Sequence, residues 1–466
     1  MQLHRLIPAA LVVSMTPALA QQSSPTLDFE YFKAYVQPVY TTKRDGNARC
    51  ISCHAHRDVM HLEPPAEGSA AWSEASARAN FAIASAYVVP GKPEQSRMLL
   101  HPLAEEAGGD PHHDGGKHWA SKDDPEWQRL AAWVRGATLD SAPMTAALKP
   151  RIIQTNSAGD NVHIIDAATN RVVGEIHGIE VGHGAAAAPD GSRLYFSNEA
   201  EATLDVVDGQ TLRIMAQIPL TGRPNNISSS PDGRRVYVAI REGSGAVDII
   251  DTLTLTNAKS VPVDGGVHNT FTTPDGRYVI AGTIVGKNAT VIDAATEEVV
   301  WTKYFDLGVR PIAFSSNADG STHYMFVQLS GFNGFAVIDF ETHEEVARIE
   351  LPKIAPGKEP VLTGGNESHG MAVTSDNSVL VVDSRLNSAV YMYSLPDLTL
   401  LGSVDVGTSP DWVTLTPDGR TAYVANAGSN DVSVVDIHGR REITRIPVGQ
   451  VPKRNITAMM PELMFD

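Results

Sequence analysis

Ala422-Tyr423-Val424-Ala425-Asn426, followed after a short turn by Asn430-Asp431-Val432-Ser433-Val434-Val435-Asp436, is the stretch that decides the fold. The first half is a short apolar run and the second half alternates polar and apolar residues, which together are typical of paired strands. The second half ends in two β-branched residues and an aspartate, and this ending recurs along the chain. Its members are Ile164-Ile165-Asp166, Val206-Val207-Asp208, Ile249-Ile250-Asp251, Val291-Ile292-Asp293, Val337-Ile338-Asp339, the degenerate Tyr391-Met392-Tyr393 and Val434-Val435-Asp436.

Successive members are roughly 40 to 45 residues apart, which is the length of a four-stranded propeller blade, except where Leu351 to Asn366 inserts a loop. Turns lie between them in phase. The turns are Pro-Asp-Gly at Pro189, Pro231, Pro274 and Pro417, with looser versions at Ala318-Asp319-Gly320 and Ser375-Asp376-Asn377. We therefore predict an all-β propeller over residues 150–460, with one blade for each of the seven repeats.

The two ends of this region complement each other. The first unit, beginning at Ile152, lacks an inner strand before its turn, and the segment from Pro452 to Met460 has an inner-strand pattern with no blade after it. We expect the C-terminal strand to complete the first blade, because this closure leaves no sheet edge open. The units resemble the YVTN type of β-propeller repeat, and the resemblance covers about two thirds of the chain.

Cys50-Ile51-Ser52-Cys53-His54 holds the only two cysteines of the chain. This is the pattern of covalent c-type haem attachment, in which two thiols bond to the porphyrin and the next histidine ligates the iron. A zinc site would require a second pair of ligands with matching spacing, and a thioredoxin-like pair would lie in a βαβ unit. A disulfide across the short loop is the remaining alternative. We predict one covalent haem c, with His54 as the proximal ligand.

Residues 26–145 have a helical and loop-rich pattern. Helices are expected from about Phe29 to Val39, from Trp72 to Tyr87 and from Glu126 to Gly136. This order, with the attachment motif after the first helix and Trp-Val-Arg-Gly ending the last, resembles small class I cytochrome c domains. The resemblance implies a small all-α cytochrome c domain whose sixth iron ligand lies in the loop before the last helix.

That loop lacks the Met-Pro pair of the common class I members. His113 stands at about the usual distance from the last helix, and the following glycines would let the backbone approach a porphyrin edge. We predict His113 as the distal ligand, which would lower the reduction potential relative to methionine ligation. The alternatives are Met98, His101, His112 and His118, each of which could instead be an ordinary loop or core residue.

Alignment of the propeller units on their turns places one position of each innermost strand in register. These positions, named here the mouth ring, are His183, Asn225, His268, Arg310, His369, Asp411 and Lys453. Innermost strands line the central channel, so the seven side chains should converge at one mouth. The ring predicts a site for a metal, a second cofactor or a polar substrate. The alternative is a hydrated channel mouth whose polar groups bond to one another.

A c-type domain before a propeller with channel histidines is similar to the d-type-haem nitrite reductases, which have eight blades. Histidine-rich seven-bladed propellers that bind copper are a second analogy. Both are likenesses of architecture, and architecture alone does not establish an activity.

Residues 1–20 resemble a cleaved export signal, since His4 and Arg5 precede an apolar run and Pro17-Ala18-Leu19-Ala20 offers small residues for cleavage. No later stretch is long enough to span a membrane. The formal charge of −17 argues against nucleic acid or anionic lipid as partners. We therefore expect a periplasmic protein whose partner is a redox protein or a small-molecule substrate.

Together these patterns predict a periplasmic c-type haem protein that mediates electron transfer, as an oxidoreductase with its second site at the channel mouth. In the alternative, the propeller is a platform that binds a protein or ligand through loops such as Leu351 to Asn366, without catalysis of its own.

Overall fold

The computed structural model describes residues 25–42, 44, 46–65, 72–138, 148–361 and 364–463. The predicted export signal, residues 1–20, lies outside the described residues. No helix in the described ranges is long and apolar enough to cross a membrane.

The N-terminal segment, residues 25–138, contains short helices joined by loops. Its α-helices within the described residues are α1 (Phe29–Tyr31), α2 (Cys50–His54), α3 (Glu74–Ala86), α4 (Arg97–Leu100) and α5 (Pro125–Val134). A π-helical turn (Phe32–Val36) and a 3₁₀ turn (Gln37–Tyr40) continue α1. The described residues contain only these five short α-helices, so the distinct all-α domain that the sequence predicts is not evident. Residues 101–124 contain a 3₁₀ turn (Glu105–Ala107) and otherwise form loops, in which prolines and glycines recur up to Gly116.

The predicted helix limits agree with α3 and α5 to within about two residues, the usual uncertainty of helix ends. Ser73 caps α3 by accepting a hydrogen bond from the Ser76 amide at 3.0 Å. Asp124 caps α5 by accepting from the Glu126 amide at 2.9 Å, with Pro125 at the first helical position.

A hydrophobic cluster holds the N-terminal segment together. Phe32 is at its centre and is fully buried, with its ring centroid 5.3 Å from that of Trp133 and 5.4 Å from that of Phe81. Leu99 and Leu130 are buried in the same cluster. The segment therefore has an apolar core of its own, separate from those of the propeller.

The rest of the chain forms seven four-stranded antiparallel sheets, which confirms the predicted seven-bladed propeller. Blade 1 consists of β28-β1-β2-β3, and the next six blades each take four consecutive strands from β4 onward. The strands are β1 (Lys149–Asn156), β2 (Asn161–Asp166), β3 (Arg171–His177), β4 (Ala185–Ala187), β5 (Arg193–Asn198), β6 (Thr203–Asp208), β7 (Ile214–Pro219), β8 (Pro224–Ser229), β9 (Arg235–Ile240), β10 (Ala246–Asp251), β11 (Thr256–Pro262), β12 (Val267–Thr272), β13 (Tyr278–Thr283), β14 (Asn288–Asp293), β15 (Glu298–Tyr304), β16 (Val309–Ser316), β17 (Thr322–Leu329), β18 (Gly334–Asp339), β19 (Glu345–Glu350), β20 (Ser368–Val373), β21 (Val379–Ser384), β22 (Ala389–Ser394), β23 (Leu400–Asp405), β24 (Pro410–Leu415), β25 (Thr421–Asn426), β26 (Asp431–Asp436), β27 (Arg441–Pro447) and β28 (Pro452–Met460).

The predicted ring closure is confirmed. Strand β28 pairs antiparallel with β1, and Ile456 lies opposite Ile153. The two ends of the propeller thus share one sheet, and apolar clusters fill the spaces between neighbouring blades. In one of them Tyr237 and Ile249 of blade 3 pack with Ile292 of blade 4.

The N-terminal segment packs against one end of blade 2. Arg129 of α5 donates to Asp208, the last residue of β6, with Nη2 2.8 Å from Oδ1. Thr41 donates its hydroxyl to the carbonyl of Met215 in β7 at 3.3 Å. Both propeller residues lie beside the turn that joins β6 to β7, so this contact belongs to the end of the blade where the Pro-Asp-Gly turns also lie.

Candidate functional site

A cavity of about 450 Å³ in the N-terminal segment gathers the predicted haem residues. This size lies within the usual range of small-molecule sites. The residues of the CISCH motif and all candidate distal ligands line the cavity: Cys50, Cys53, His54, Met98, His101, His112, His113 and His118. Residues up to 68 positions apart in the chain, from Cys50 to His118, therefore share one site.

The cysteine pair and His54 all belong to α2, which is about one and a half turns long. The Nδ1 atom of His54 lies 3.1 Å from the Met60 carbonyl oxygen and 3.3 Å from that of Val59. A carbonyl only accepts, so Nδ1 carries the proton and Nε2 keeps its lone pair. This is the arrangement in which a second contact orients a histidine that ligates a metal.

His113 has the same arrangement. Its Nδ1 donates to the Gly116 carbonyl at 2.6 Å, and this leaves the Nε2 lone pair free. The Gly116 amide donates back to the His113 carbonyl at 2.9 Å, and Gly116 has a φ of +80°, which favours glycine. Burial is the main cause that lowers the pKa of His113, so the ring is held in the neutral form that binds metals.

The rings of His54 and His113 lie close together in the cavity. Their centroids are 6.4 Å apart and their planes differ by 18°. Two imidazoles that share one metal atom, each through a bond of about 2 Å, have a similar spacing. The donor set therefore fits an iron with two histidine ligands, next to two free thiols that can attach a porphyrin.

The other candidate ligands have different surroundings. Met98 is 6% exposed and its sulfur accepts a contact from the Tyr40 hydroxyl at 4.0 Å, as expected of a core residue. His101 has its Nδ1 3.1 Å from the Asp110 carboxylate. Burial lowers the pKa of His118 to about 4, and its buried Nδ1 has no hydrogen-bond partner among the described residues.

The mouth ring lies at the opposite end of the propeller from the N-terminal segment. Six of its members are the second residue of an innermost strand, and the seventh, His183, lies two residues before β4. His183 contacts Glu199, which follows β5, whereas the segment contacts Asp208 and residues near Arg193, where β5 begins. Strand β5 spans about 20 Å between these ends at roughly 3.3 Å per residue.

Three neighbouring members of the ring form a connected group. His369 donates Nδ1–H to the Asp411 carbonyl oxygen at 2.6 Å. The Asp411 carboxylate pairs with Lys453 at 3.2 Å and with Arg385 at 2.7 Å. Burial lowers the pKa of His369 to about 3, so this imidazole is neutral. Burial alone would raise the pKa of Asp411, but the charges of Lys453 and Arg385 and the hydrogen bond from Lys453 hold it far below its usual range.

A second group surrounds Glu199, which is almost fully buried. Its carboxylate lies 2.9 Å from His183 Nδ1, 2.7 Å from Arg223 and 3.1 Å from Arg241. Burial alone would raise the pKa of Glu199, but these three partners together lower it. His268 lies between the two groups. Burial is the main cause that lowers its pKa well below the usual value, and the nearby Arg310 and Arg241 add to this effect.

An aromatic floor closes the channel beneath the ring. Phe271 of β12 and Trp412 of β24 stack with centroids 6.4 Å apart and planes 10° apart. These strands belong to blades 4 and 7, which lie across the channel from each other. His369 packs edge-on against Trp412 at 5.4 Å. The mouth is therefore a cup with polar walls and an apolar base.

Among the residues described, no group of three or more histidine, cysteine or acidic side chains is placed to hold a metal ion. The ring histidines belong to separate polar groups, so the ring fits a polar or anionic molecule better than a bare metal. Sequence comparison of the blades could not find Glu199, Arg223, Arg241 or Asp383, because these residues lie outside the registered position. Asp383 is buried and accepts from the His369 and Gly370 amides at 3.0 and 2.8 Å.

Two family models match parts of the propeller. Residues 199–303 match the cytochrome D1 heme domain, and residues 256–447 match the lactonases with a seven-bladed β-propeller. Each match covers less than half of the chain. No curated protein sequence matches this chain significantly.

Solved structures share the fold. A chain of *Kuenenia stuttgartiensis* hydrazine synthase is 25% identical with a TM-score of 0.52, over 61% of this chain and 91% of that one. The periplasmic gluconolactonase PpgL of *Pseudomonas aeruginosa* is 20% identical with a TM-score of 0.52, over 67% and 100%. Dihydro-heme d1 dehydrogenase NirN, in complex with DHE, is 17% identical with a TM-score of 0.48, over 78% and 91%. The chain is thus a seven-bladed propeller with a partial likeness to a haem-binding propeller family.

Proposed function

We propose that this protein is a periplasmic c-type haem protein that transfers electrons. Cys50 and Cys53 attach one haem, His54 binds the iron on one side and His113 binds it on the other. The neighbouring pair of imidazoles carries this proposal, because both rings turn an unprotonated Nε2 away from a carbonyl contact and both line the cavity beside the thiols. The haem, when bound, supplies reversible one-electron chemistry.

The residues of this chain orient the ligands and limit water. The carbonyls of Met60 and Gly116 fix the two ring orientations, and Leu62 and Leu130 shield the site with apolar surface. Ligation by two imidazoles, with no thioether, gives a lower reduction potential than methionine ligation. The site is therefore suited to giving an electron to a partner of moderate potential.

The mouth ring is the proposed second site. The match of residues 199–303 to the cytochrome D1 heme domain supports a haem-related ligand there, since that range includes Glu199, Asn225 and His268. A haem-related molecule carries carboxylates and is planar. The cationic walls and the aromatic floor of the cup suit such a molecule.

The position of the N-terminal segment favours a second candidate function. Its contacts lie at the strand ends opposite the ring, about 20 Å away along β5. This separation favours a haem that exchanges electrons with an external partner, while the propeller binds its ligand independently as a platform.

Haem and metal content per chain tests the proposal. The protein would be produced in a bacterium with the c-type maturation system and exported by its own N-terminus. We expect one haem per chain that stays attached in a denaturing gel, and its loss in the Cys50→Ser/Cys53→Ser variant but not in the Ser52→Ala control. A protein without attached haem under these conditions would contradict the proposal. An added chromophore lost in a His183→Ala/His268→Ala/His369→Ala variant would support the oxidoreductase over the platform.

A further inference from the structure

Arg454, the third residue of β28, places a buried cation inside the central channel. Its guanidinium carbon lies 4.0 Å from the centroid of Trp412 and 5.8 Å from that of Phe271. Blade 1, which holds Arg454, and blade 4, which holds Phe271, are on different sides of the seven-membered ring. A contact between them requires both side chains to reach into the channel.

Among the described residues, no acidic side chain pairs with this guanidinium. Arg454 is 8% exposed, and its Nε and Nη1 atoms have no hydrogen-bond acceptor in the described ranges. Burial lowers its pKa to about 9, so the group is still protonated at neutral pH. Two carboxylates of the mouth, by contrast, are already paired with cations: Asp411 with Arg385 and Lys453, and Glu199 with Arg223 and Arg241.

An unpaired buried charge is unfavourable unless a partner of opposite charge satisfies it. The face of Trp412 offsets part of this cost through a cation–π contact, but a ring face cannot accept the in-plane N–H groups. At the same level of the channel, Asn226 and Asn269 are the third residues of β8 and β12, and their amides bond to each other at 3.1 Å. The described side chains thus provide no acceptor for Nε and Nη1.

We propose that the channel binds one small inorganic anion at Arg454, on the aromatic floor beneath the mouth ring. The site is distinct from the candidate haem cavity and lies at the base of the cup in which the ring ligand is proposed to bind. The unpaired N–H groups lie in the guanidinium plane and suit a small anion, such as a halide or a small oxyanion. The floor restricts the site to small anions, because Phe271 and Trp412 are themselves buried.

The test uses bromide as the probe and the full-length haem-loaded protein. Thermal unfolding is compared in sodium bromide and in sodium gluconate of equal ionic strength, because gluconate is a much larger anion than bromide. We expect the unfolding midpoint to rise with bromide concentration, as linkage requires for a ligand of the folded state. Anomalous diffraction from bromide-soaked crystals should show a peak beside Arg454.

The matched variants are Arg454→Met, which keeps most of the side-chain volume, and Arg234→Met, an exposed arginine. Arg454→Met should lose the bromide response and be at least as stable as the wild type in gluconate, because an unpaired charge is gone. Arg234→Met should respond like the wild type. An equal midpoint in both salts, a bromide response that survives Arg454→Met, or no anomalous peak at the channel would overturn the proposal. The diffraction measurement on the wild type decides the question even if Arg454→Met fails to fold.

Discussion

Glu126 is a buried acid that joins three parts of the structure. Its carboxylate lies 2.6 Å from Arg44 Nη2 and accepts from Trp119 Nε1 at 3.1 Å, while Arg213 of the propeller lies 3.9 Å away. Arg44 in turn contacts the Cys50 sulfur at 3.8 Å. One acidic side chain therefore stabilises a cation beside Cys50 and an aromatic wall of the cavity.

Glu126→Ala should lower the free energy of unfolding by about 3–5 kcal/mol, because removing one partner leaves the buried Arg44 charge unpaired. Chemical denaturation followed by tryptophan fluorescence measures this change. The control is Glu74→Ala, whose pairs with Lys33 and Arg78 are exposed to solvent and contribute little. Equal stability of the two variants would show that the Glu126 pair is not a significant stabilising contact.

His369 makes the stability depend on pH. An unfolded histidine titrates near pH 6.5, whereas burial lowers the pKa of folded His369 to about 3. Between these values the unfolded chain binds the extra proton, so stability falls as the pH decreases and is fully retained above about 6.5. The His369→Gln variant should show a slope smaller by one proton between about pH 6.5 and 5 in denaturation experiments. A slope unchanged from the wild type would contradict the buried neutral imidazole.

Residues of the candidate site could be predicted from the sequence where their spacing along the chain forms a recognisable motif. The CISCH motif and the histidine loop share one cavity as expected, because the motif carries its own geometry. Glu126, Glu199 and Arg454 could not be predicted, since each is important only through partners that the fold brings from distant positions. Arg454 follows the registered Lys453 directly, and an arginine beside a channel position is the signal that could have found it.

At the level of elements, β28 is the strand on which closure depends. It supplies the innermost strand of blade 1 and pairs with β1 over most of its length. Without it, β1 would present unpaired amides and carbonyls to solvent. The mouth ring would also lose Lys453, and the channel beneath it would lose Arg454.

A chain that stops after Val448 should therefore accumulate as insoluble protein or unfold at a much lower temperature. A chain that stops after Leu463, which keeps β28 and the buried Leu463, should unfold close to the wild type. Differential scanning calorimetry of the soluble fractions makes the comparison. If the shorter chain were soluble and cooperative, the closure would not be required for stability.

The propeller was predictable to the level of single strands because its repeat, turns and strand patterns agree locally and globally. The helical segment was less predictable. Its helix starts follow from Ser73 and Asp124, but prolines and glycines leave long loops whose path depends on packing around Phe32 and the tryptophans. The distinct all-α domain expected from family likeness is accordingly not evident among the five short α-helices of the described residues.

At the scale of the whole molecule, the haem cavity and the mouth ring lie at different ends. The sequence predicted both sites, but their separation depends on which strand ends the N-terminal segment contacts. Arg129 and Asp208 fix that contact, and Asp208 also accepts from the Thr211 amide at 2.8 Å. The contact between Arg129 and Asp208 could not be predicted from the sequence, since the two residues lie 79 positions apart.

Changes at the ring should accordingly leave the haem unaffected. His183→Ala and Arg310→Ala should keep the wild-type absorption spectrum and reduction potential, since charges about 20 Å away are strongly screened in water. His54→Met is the control that must change both. Spectroelectrochemical titration measures them, and a ring variant that shifts the potential clearly would place the two sites closer than the strand contacts indicate.

We propose that His54 and His113 bind one haem iron together. The most direct test is the absorption and electron paramagnetic resonance spectrum of the oxidised protein and of His113→Ala, with His118→Ala and His101→Ala as controls. We predict a low-spin, six-coordinate iron in the wild type and in both controls, and a high-spin iron in His113→Ala. A low-spin spectrum that persists in His113→Ala but is lost in His118→Ala would contradict the account.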